Sequence, residues 1–285
     1  MADYPGTGIP FVKMHGSGND FVVVDNRERV VPPDDVAAFA RAVCRPHLGL
    51  GADGVVLIDD GPGGVDFRWR YINADGTDGD LCGNGAMCGV RFAVEMEIAP
   101  RSCRFETPAG VMTAQLHDDG RTVTVDMIDA DITDHGLHLS DDPAVSSFDR
   151  VMIGVPHVVA FAPDADAMDD FDAWGRAIRH HERVQPEGAN VNLVHRIDDN
   201  TIRMRTYERG VEAETLACGT GAVSSAVIAA RRGLVQQPVN VVTSSGRTIR
   251  VEWEPEDDAA TGIRMTGEAA LVARGTILPD AFHEP

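Results

Sequence analysis

The feature that most constrains this chain is that it is written twice. Cys82 opens C-G-N-G-A, and Cys218 opens C-G-T-G-A 136 residues later. Gly51-Ala52-Asp53 answers Gly188-Ala189-Asn190, Arg68-x-Arg70 answers Arg203-x-Arg205, Thr107-x-x-Gly110 answers Thr243-x-x-Gly246, and Phe39 answers Trp174, all at offsets of 135 to 137. One Gly-rich match can arise by convergence on similar turns, but five landmarks in one order at nearly one offset do not. The offset is close to half of 285 residues, so a two-domain duplication is expected and not a solenoid of short repeats. The expected halves are 1–128, carrying Cys82, and 129–275, carrying Cys218, with 276–285 packing back onto the first. The join lies in the acidic stretch after Val125.

Hydrophobic spacing gives each half the same mixed content. Val22–Val24 and Val55–Ile58 read as short buried strands, and V-D-F-R-W-R-Y-I over 65–72 alternates with the period of a half-buried strand. Asp34 or Asp35 can cap a helix presenting Val36, Phe39, Ala40 and Val43 on one face. After Cys82 the apolar positions Met87, Val90 and Val94 are helically spaced, as are Val223, Ala226, Val227 and Ala230 after Cys218. Further short β-rich runs cover Thr122–Asp126 and Val239–Thr243. Strands this short, without regular alternation with helices, argue against a doubly wound sheet.

Charge excludes whole classes of partner. Twenty-five Lys+Arg against 45 Asp+Glu leave −20, a surface that repels phosphate backbones and anionic lipid heads, so no nucleic-acid or membrane role is expected. No segment approaches the roughly 20 apolar residues needed to span a bilayer, and the first residues lack the features of a secretory signal. Five cysteines, an odd number in a large chain, fit reduced thiols in a cytoplasm better than a disulfide framework.

Two of those cysteines occupy special ground. Cys82 and Cys218 each stand before a predicted helix, followed by small residues that leave backbone N–H groups open to a ligand. A helix N-terminus favours an anion by roughly 0.3–1 kcal/mol, up to about 2 when partly buried, enough to bring an ordinary thiol down to around 7–8. The same N–H groups can hold a carboxylate. Duplication would set two such helix ends about a pseudo-twofold axis. Two opposed thiols, one ionised and one protonated, are what inversion of a carbon stereocentre by proton exchange requires. A single Cys–His site would point instead to acyl transfer.

Seven strings carry a specific resemblance: H-G-S-G-N-D-F (15–21), G-L-G-A-D-G (49–54), N-A-D-G (73–76), C-G-N-G-A-M-C (82–88), P-H (156–157), Y-E-R-G (207–210) and A-C-G-T-G (217–221). In order and over nearly the whole chain, they resemble the diaminopimelate epimerases. The resemblance implies an α+β fold of two pseudosymmetric mixed α/β domains, each a β-barrel-like sheet around a central helix, with the active site in the interdomain cleft. It implies a cofactor-independent enzyme, without pyridoxal phosphate or metal, that interconverts LL- and meso-diaminopimelate for lysine and peptidoglycan synthesis. Cys82 and Cys218 would be the acid/base pair, Cys82 the base towards the LL isomer and Cys218 towards the meso isomer. Gly83, Asn84, Gly219 and Thr220 would donate to the α-carboxylate. Asn19, Asn73, Asn190, Glu208 and Arg209 would contact the amino and carboxylate groups, with Arg209 on the distal carboxylate and Glu208 facing an ammonium. His157 would sit near the thiols. A homodimer is the assembly to test. Two departures bear on substrate recognition: Val155 stands where the family often has asparagine, and Glu208–Cys218 is one residue longer than the commonest form.

Other motifs weigh less. Gly49-x-Gly51-x-x-Gly54 matches a dinucleotide fingerprint by letter, but Pro46 and His47 precede it and strand-like residues follow, the reverse of the required context. Cys82 and Cys88 lack zinc-site spacing, and Cys44, Cys88 and Cys103 read as core thiols. His180-His181-Glu182 is expected on a helix bearing Phe171, Trp174 and Ile178, fanned too widely to share a metal. Three rivals to the epimerase stand: a proline, hydroxyproline or histidine racemase on the same fold, a silent ligand-binding relative, and a thiol redox protein.

Overall fold

The computed structural model describes residues 8–79 and 81–282. The chain forms two compact units, one of residues up to Val125 together with those from Gly267 onward, the other Asp126–Thr266.

In the first unit β1 (Ile9–Gly16) and β2 (Asn19–Asp25) form a hairpin. Its turn places Ser17 in the left-handed region at φ 54°, which the following Gly18 tolerates more easily at 111°. After the amphipathic helix α1 (Val36–Cys44), β3 (Gly54–Asp59) returns parallel to β2. β4 (Phe67–Asn73) runs antiparallel to β3, flanked by the short β5 (Asp78–Gly79) and, in parallel, by β6 (Ser102–Thr107). β7 (Gly110–Leu116) and β8 (Thr122–Asp126) follow antiparallel. The second half of the long last strand, Ala259–Ile277, then pairs with β1 from Ala269 to Ile277. Its Ala269 N–H donates to the Arg121 carbonyl at 3.1 Å, just ahead of β8, and a ring of eight strands closes.

Through that ring runs α2 (Gly83–Glu95), packed against β1, β2, β3, β4 and β7. It is buried on nearly every side from Gly83 to Val90, so it needs small residues on the sides that touch the sheet. Gly89 is one: a Cβ there would lie 2.7 Å from the Trp69 ring. Trp69 itself is buried and donates its Nε1–H to the Gly85 carbonyl at 3.2 Å.

The second unit repeats the plan. β9 (Ala130–Leu137), β10 (Phe148–Ile153) and β11 (Val155–Phe161) are antiparallel, and β12 (Asn190–Arg196) lies parallel to β11 after α3 (Phe171–Arg179). β13 (Thr201–Glu208) pairs with β12, with the short β14 (Ala213–Thr215), and in parallel with β15 (Val239–Val242). β16 (Thr248–Pro255) and the first half of β17 (Ala259–Ile277) continue antiparallel, and Ala259 and Ala260 meet Asp131 and Ala130 of β9 to close a second ring. α4 (Gly219–Arg231) packs against β10, β11, β12, β13, β15 and β16. Each unit is the α+β arrangement the resemblance implies, a barrel-like sheet around a central helix.

Two local expectations change. Asp35 stands at the N-cap of α1 but makes no side-chain capping bond. It ends a 3-10 turn with a near-helical backbone (φ −101°, ψ −8°), not the extended one that aims a cap at the first N–H groups. α3 stops at Arg179; His180 caps it through its N–H and His181 precedes a separate 3-10 turn, so the His-His-Glu run is not on one helix. Among the described residues no helix is long and apolar enough to cross a membrane.

Candidate active site

Cys82 is the N-cap of α2. Its backbone is extended (φ −126°, ψ 107°), its carbonyl accepts from Ala86 N–H at 2.8 Å, and its Sγ accepts from Gly85 N–H at 3.4 Å. The first two helical N–H groups, those of Gly83 and Asn84, have no acceptor within the helix. Asn84 is fully buried; its Nδ2 donates to Asn19 Oδ1 at 2.7 Å, while its Oδ1 has no hydrogen-bond partner among the described residues. Asn19 in turn donates to Asp53 Oδ2 at 3.2 Å. Asp53 and Asp20 exchange backbone-to-carboxylate bonds at 3.1 Å each, and Lys13, the chain's one lysine, is ion-paired with Asp20 and donates to the Gly51 carbonyl. Burial, then the charge of Asp20, pushes the Asp53 carboxyl above its ordinary value. Asn73 ends β4 and donates to Thr77 Oγ1 at 3.0 Å.

Cys218 caps α4 in the same way (φ −137°, ψ 115°), its carbonyl accepting from Ala222 N–H at 2.9 Å and its Sγ from Gly221 N–H at 3.4 Å. Here the glycine is obligatory: a Cβ on Gly221 would lie 2.6 Å from Asn192 Oδ1 and 3.2 Å from the sulfur. Cys218 is buried, and Thr220 Oγ1 lies 3.6 Å from its Sγ. Thr220 also meets His157 Nε2 at 2.9 Å. Burial, assisted by the charge of Arg209, pushes the His157 imidazole down to about 3, so it is neutral at physiological pH. Asn190 lies 3.4 Å from the same Nε2 and accepts from the Arg209 N–H at 2.8 Å. Arg209 follows Glu208, the last residue of β13, and its guanidinium reaches the Glu187 carbonyl at 3.4 Å.

Thus Cys82, Gly83, Asn84 and Asn19 gather at one helix mouth of the first unit, with Asn73 at a strand end of the same unit. Cys218, Gly219, Thr220, His157, Asn190 and Arg209 gather in the second, with Glu208 beside Arg209. One member escaped sequence reasoning: Asn192, fully buried, which contacts His157 Nδ1 at 3.2 Å. Its signal was Asn190-x-Asn192, two polar residues on one face of an otherwise apolar strand. Val155 opens β11 half-buried. In the longer Glu208–Cys218 segment, Glu212 adopts φ 60° and accepts from Gly210 N–H at 3.2 Å and Tyr207 OH at 3.3 Å, with Arg179 Nε at 3.4 Å.

The remaining thiols lie in the core. Burial pushes Cys44 and Cys103 up to about 12 and Cys88 well above the ordinary value, so none is a ready nucleophile. Asp164, Asp166 and His195 cluster at the surface, but Arg203 pairs with Asp166 and the Ala165 N–H occupies His195 Nδ1.

The family model described as diaminopimelate epimerase matches residues 11–133 and 150–272. The chain belongs to the diaminopimelate epimerase family. The diaminopimelate epimerase of Aquifex aeolicus is 43% identical, with 96% of this chain and 100% of that protein covered. That of Archaeoglobus fulgidus is 40% identical, with 94% and 96% covered. Among solved structures, a hydroxyproline epimerase from Agrobacterium vitis with bound trans-4-hydroxy-L-proline matches at TM-score 0.73 and 16% identity, covering 96% of this chain and 93% of that one. A PhzF-family phenazine biosynthesis protein of Bacillus anthracis matches at 0.73 and 16%, covering 95% and 99%. At that identity these two share the fold. As a member of the diaminopimelate epimerase family, the protein is an isomerase acting on a small molecule.

Proposed function

We infer that the protein epimerises 2,6-diaminopimelate, interconverting its LL and meso forms by proton exchange at one α-carbon, with Cys82 and Cys218 as the acid/base pair. The observation that supports this most directly is the doubled cap: each thiol stands in the same backbone conformation at a helix N-terminus, each sulfur accepting the N–H three residues on. The chemistry demands one group that removes the α-proton and a second that supplies a proton to the opposite face. One α-carbon must therefore be reached by both sulfurs from opposite sides. The α-carboxylate takes the N–H groups of Gly83, Asn84, Gly219 and Thr220, so both helix ends stabilise the charge that develops as the carbon is deprotonated. The Arg209 fork suits the distal carboxylate, and Glu208, Asn19, Asn73 and Asn190 complete the amino and carboxylate contacts. His157, neutral and buried, supports Thr220.

No cofactor enters this scheme. A pyridoxal Schiff base needs a lysine, and Lys13 is held by Asp20 and the Gly51 carbonyl. We place the protein in the cytoplasm, where thiols stay reduced, and expect a homodimer, which sedimentation velocity checks.

The experiment is incubation with LL-diaminopimelate in D₂O. Deuterium enters one α-position, and Cys82→Ser and Cys218→Ser each abolish net inversion. Inversion persisting in both variants removes the two-thiol mechanism. Turnover of proline or hydroxyproline alone transfers the substrate to the racemase class. Reversible thiol oxidation without any turnover leaves the redox alternative.

A further inference from the structure

The buried polar groups of the second unit fix one another's protons. The Val158 carbonyl can only accept, and Asn192 Nδ2 donates to it at 3.1 Å, so that end of the amide is the NH₂. Its oxygen accordingly accepts from Thr206 Oγ1–H at 2.9 Å. The remaining Nδ2 proton points at His157 Nδ1, 3.2 Å away, so Nδ1 is the bare nitrogen and Nε2 carries the hydrogen. Nε2–H then donates to Thr220 Oγ1 at 2.9 Å, which leaves the threonine's own proton for the Cys218 sulfur at 3.6 Å. Asn190 Nδ2 approaches the same Nε2 at 3.4 Å, and Arg209 N–H fixes it too as a donor. The opposite tautomer would relieve that longer approach by setting two donors face to face at the shorter Asn192 contact.

We propose that Thr206 and Asn192 are positioning residues: through the chain Thr206–Asn192–His157–Thr220 they turn a hydroxyl proton onto Cys218 and make it the resting thiolate. This rests on Cys218 being half of the acid/base pair. The first unit runs the other way. Asp53 accepts from Asn19 and Asn19 from Asn84, so the donors there are drawn towards a carboxylate and away from the cap.

The charged groups around the chain are accounted for. Arg209 acts on His157, and burial keeps the imidazole neutral. On the strands packed around α4, Arg203 pairs with Asp166, Arg205 with Glu214, Arg150 with Glu187, Asp149 with Arg232, and Glu252 with both Arg250 and Arg264. Tyr207 donates to Glu212, Glu208 ends β13, Arg196 pairs with Asp199, and His195 Nδ1 accepts the Ala165 N–H.

Two measurements test this without using turnover. In long-range ¹⁵N correlation spectra of histidine-labelled wild-type protein at pH 7, His157 should be neutral with its proton on Nε2; a proton on Nδ1 overturns the chain at once. The second is ultraviolet thiolate absorbance against pH in a Cys82→Ser background, where the core thiols stay silent because burial holds Cys44 and Cys103 at about 12 and Cys88 higher. Losing one charge-assisted bond raises the Cys218 midpoint by about one unit in Thr220→Val and by a smaller step in Thr206→Val, roughly tenfold less thiolate below the midpoint for the former. Thr220→Ser and Thr206→Ser restore it. An unchanged midpoint in Thr220→Val refutes the proposal. If both measurements agree but no α-proton exchanges in D₂O, the chain stands and the epimerase reading falls.

Discussion

The two helix mouths share a backbone and differ in everything polar around it. Both cysteines are extended N-caps whose sulfur takes the third N–H of the helix. Around Cys82 the support is ionic: two aspartates, a lysine and two asparagines. Around Cys218 the side-chain bonds run through neutral groups, a buried histidine, threonines and asparagines, with Arg209 joining through its backbone N–H. Duplication thus kept the device that presents a thiol and let its surroundings diverge. An acid and a base cannot be identical groups in identical settings at one instant, and divergent surroundings are how a doubled site escapes that symmetry.

The largest test of the comparison removes each sulfur. Cys82→Ala and Cys218→Ala should each lower kcat for net inversion by about 10³-fold or more, because neither role has a substitute; a loss at only one site, measured by polarimetry or chiral chromatography, would mean that the halves are not partners. Next come the glycines that face the sulfurs. Gly221→Ala drives a methyl into Asn192 and Cys218 and should cost about 1–3 kcal/mol of stability in urea melts, whereas at Gly85 the nearest atoms stand 3.4 Å away and alanine should be near neutral.

Acid should act on the two mouths with opposite sign. His157 is depressed to about 3 from 6.5, so the unfolded chain binds more protons between those values; its contribution is complete above 6.5 and is lost as pH falls towards 3. Asp53 is raised, so its ionisation costs stability above its folded value, a penalty relieved as pH falls through that value and gone by 3.8. His157→Gln should therefore flatten the fall in stability between pH 6.5 and 3, an effect on the order of a few kcal/mol at most. A wild-type profile without that slope would contradict the neutral, buried imidazole. The smallest effect is expected at Glu212. Replacing it with alanine loosens Glu208–Cys218, raising KM a few-fold with kcat little changed and costing about 0.5–1 kcal/mol, for a half-buried ion pair with Arg179.

Periodicity made the architecture legible where one face of an element meets the core. The run Thr122–Asp126 is a strand from end to end, Val239–Thr243 overshoots its strand by one residue, and both helices after the cysteines begin at the next residue. The repeat located the equivalent turns, since Gly51 and Gly188 share φ 66°. Three things stayed hidden. Asp35 looked like a cap because composition does not reveal that its backbone has already turned helical. His180 looked helical because no Gly or Pro marks the end of α3. Asn192 was missed because Asn190-x-Asn192 shows two polar residues on one strand face but not their role, which lies in partners remote in sequence, Thr206 and His157.

The long strand Ala259–Ile277 gives half of itself to each ring. A ribosome finishes Asp126–Thr266 before it reaches the residues that seal the earlier barrel, so the half translated first is the last to close. Until those final residues emerge, β1 waits with an unpaired edge, and a stop codon after Thr266 would leave the younger barrel whole and the older one open.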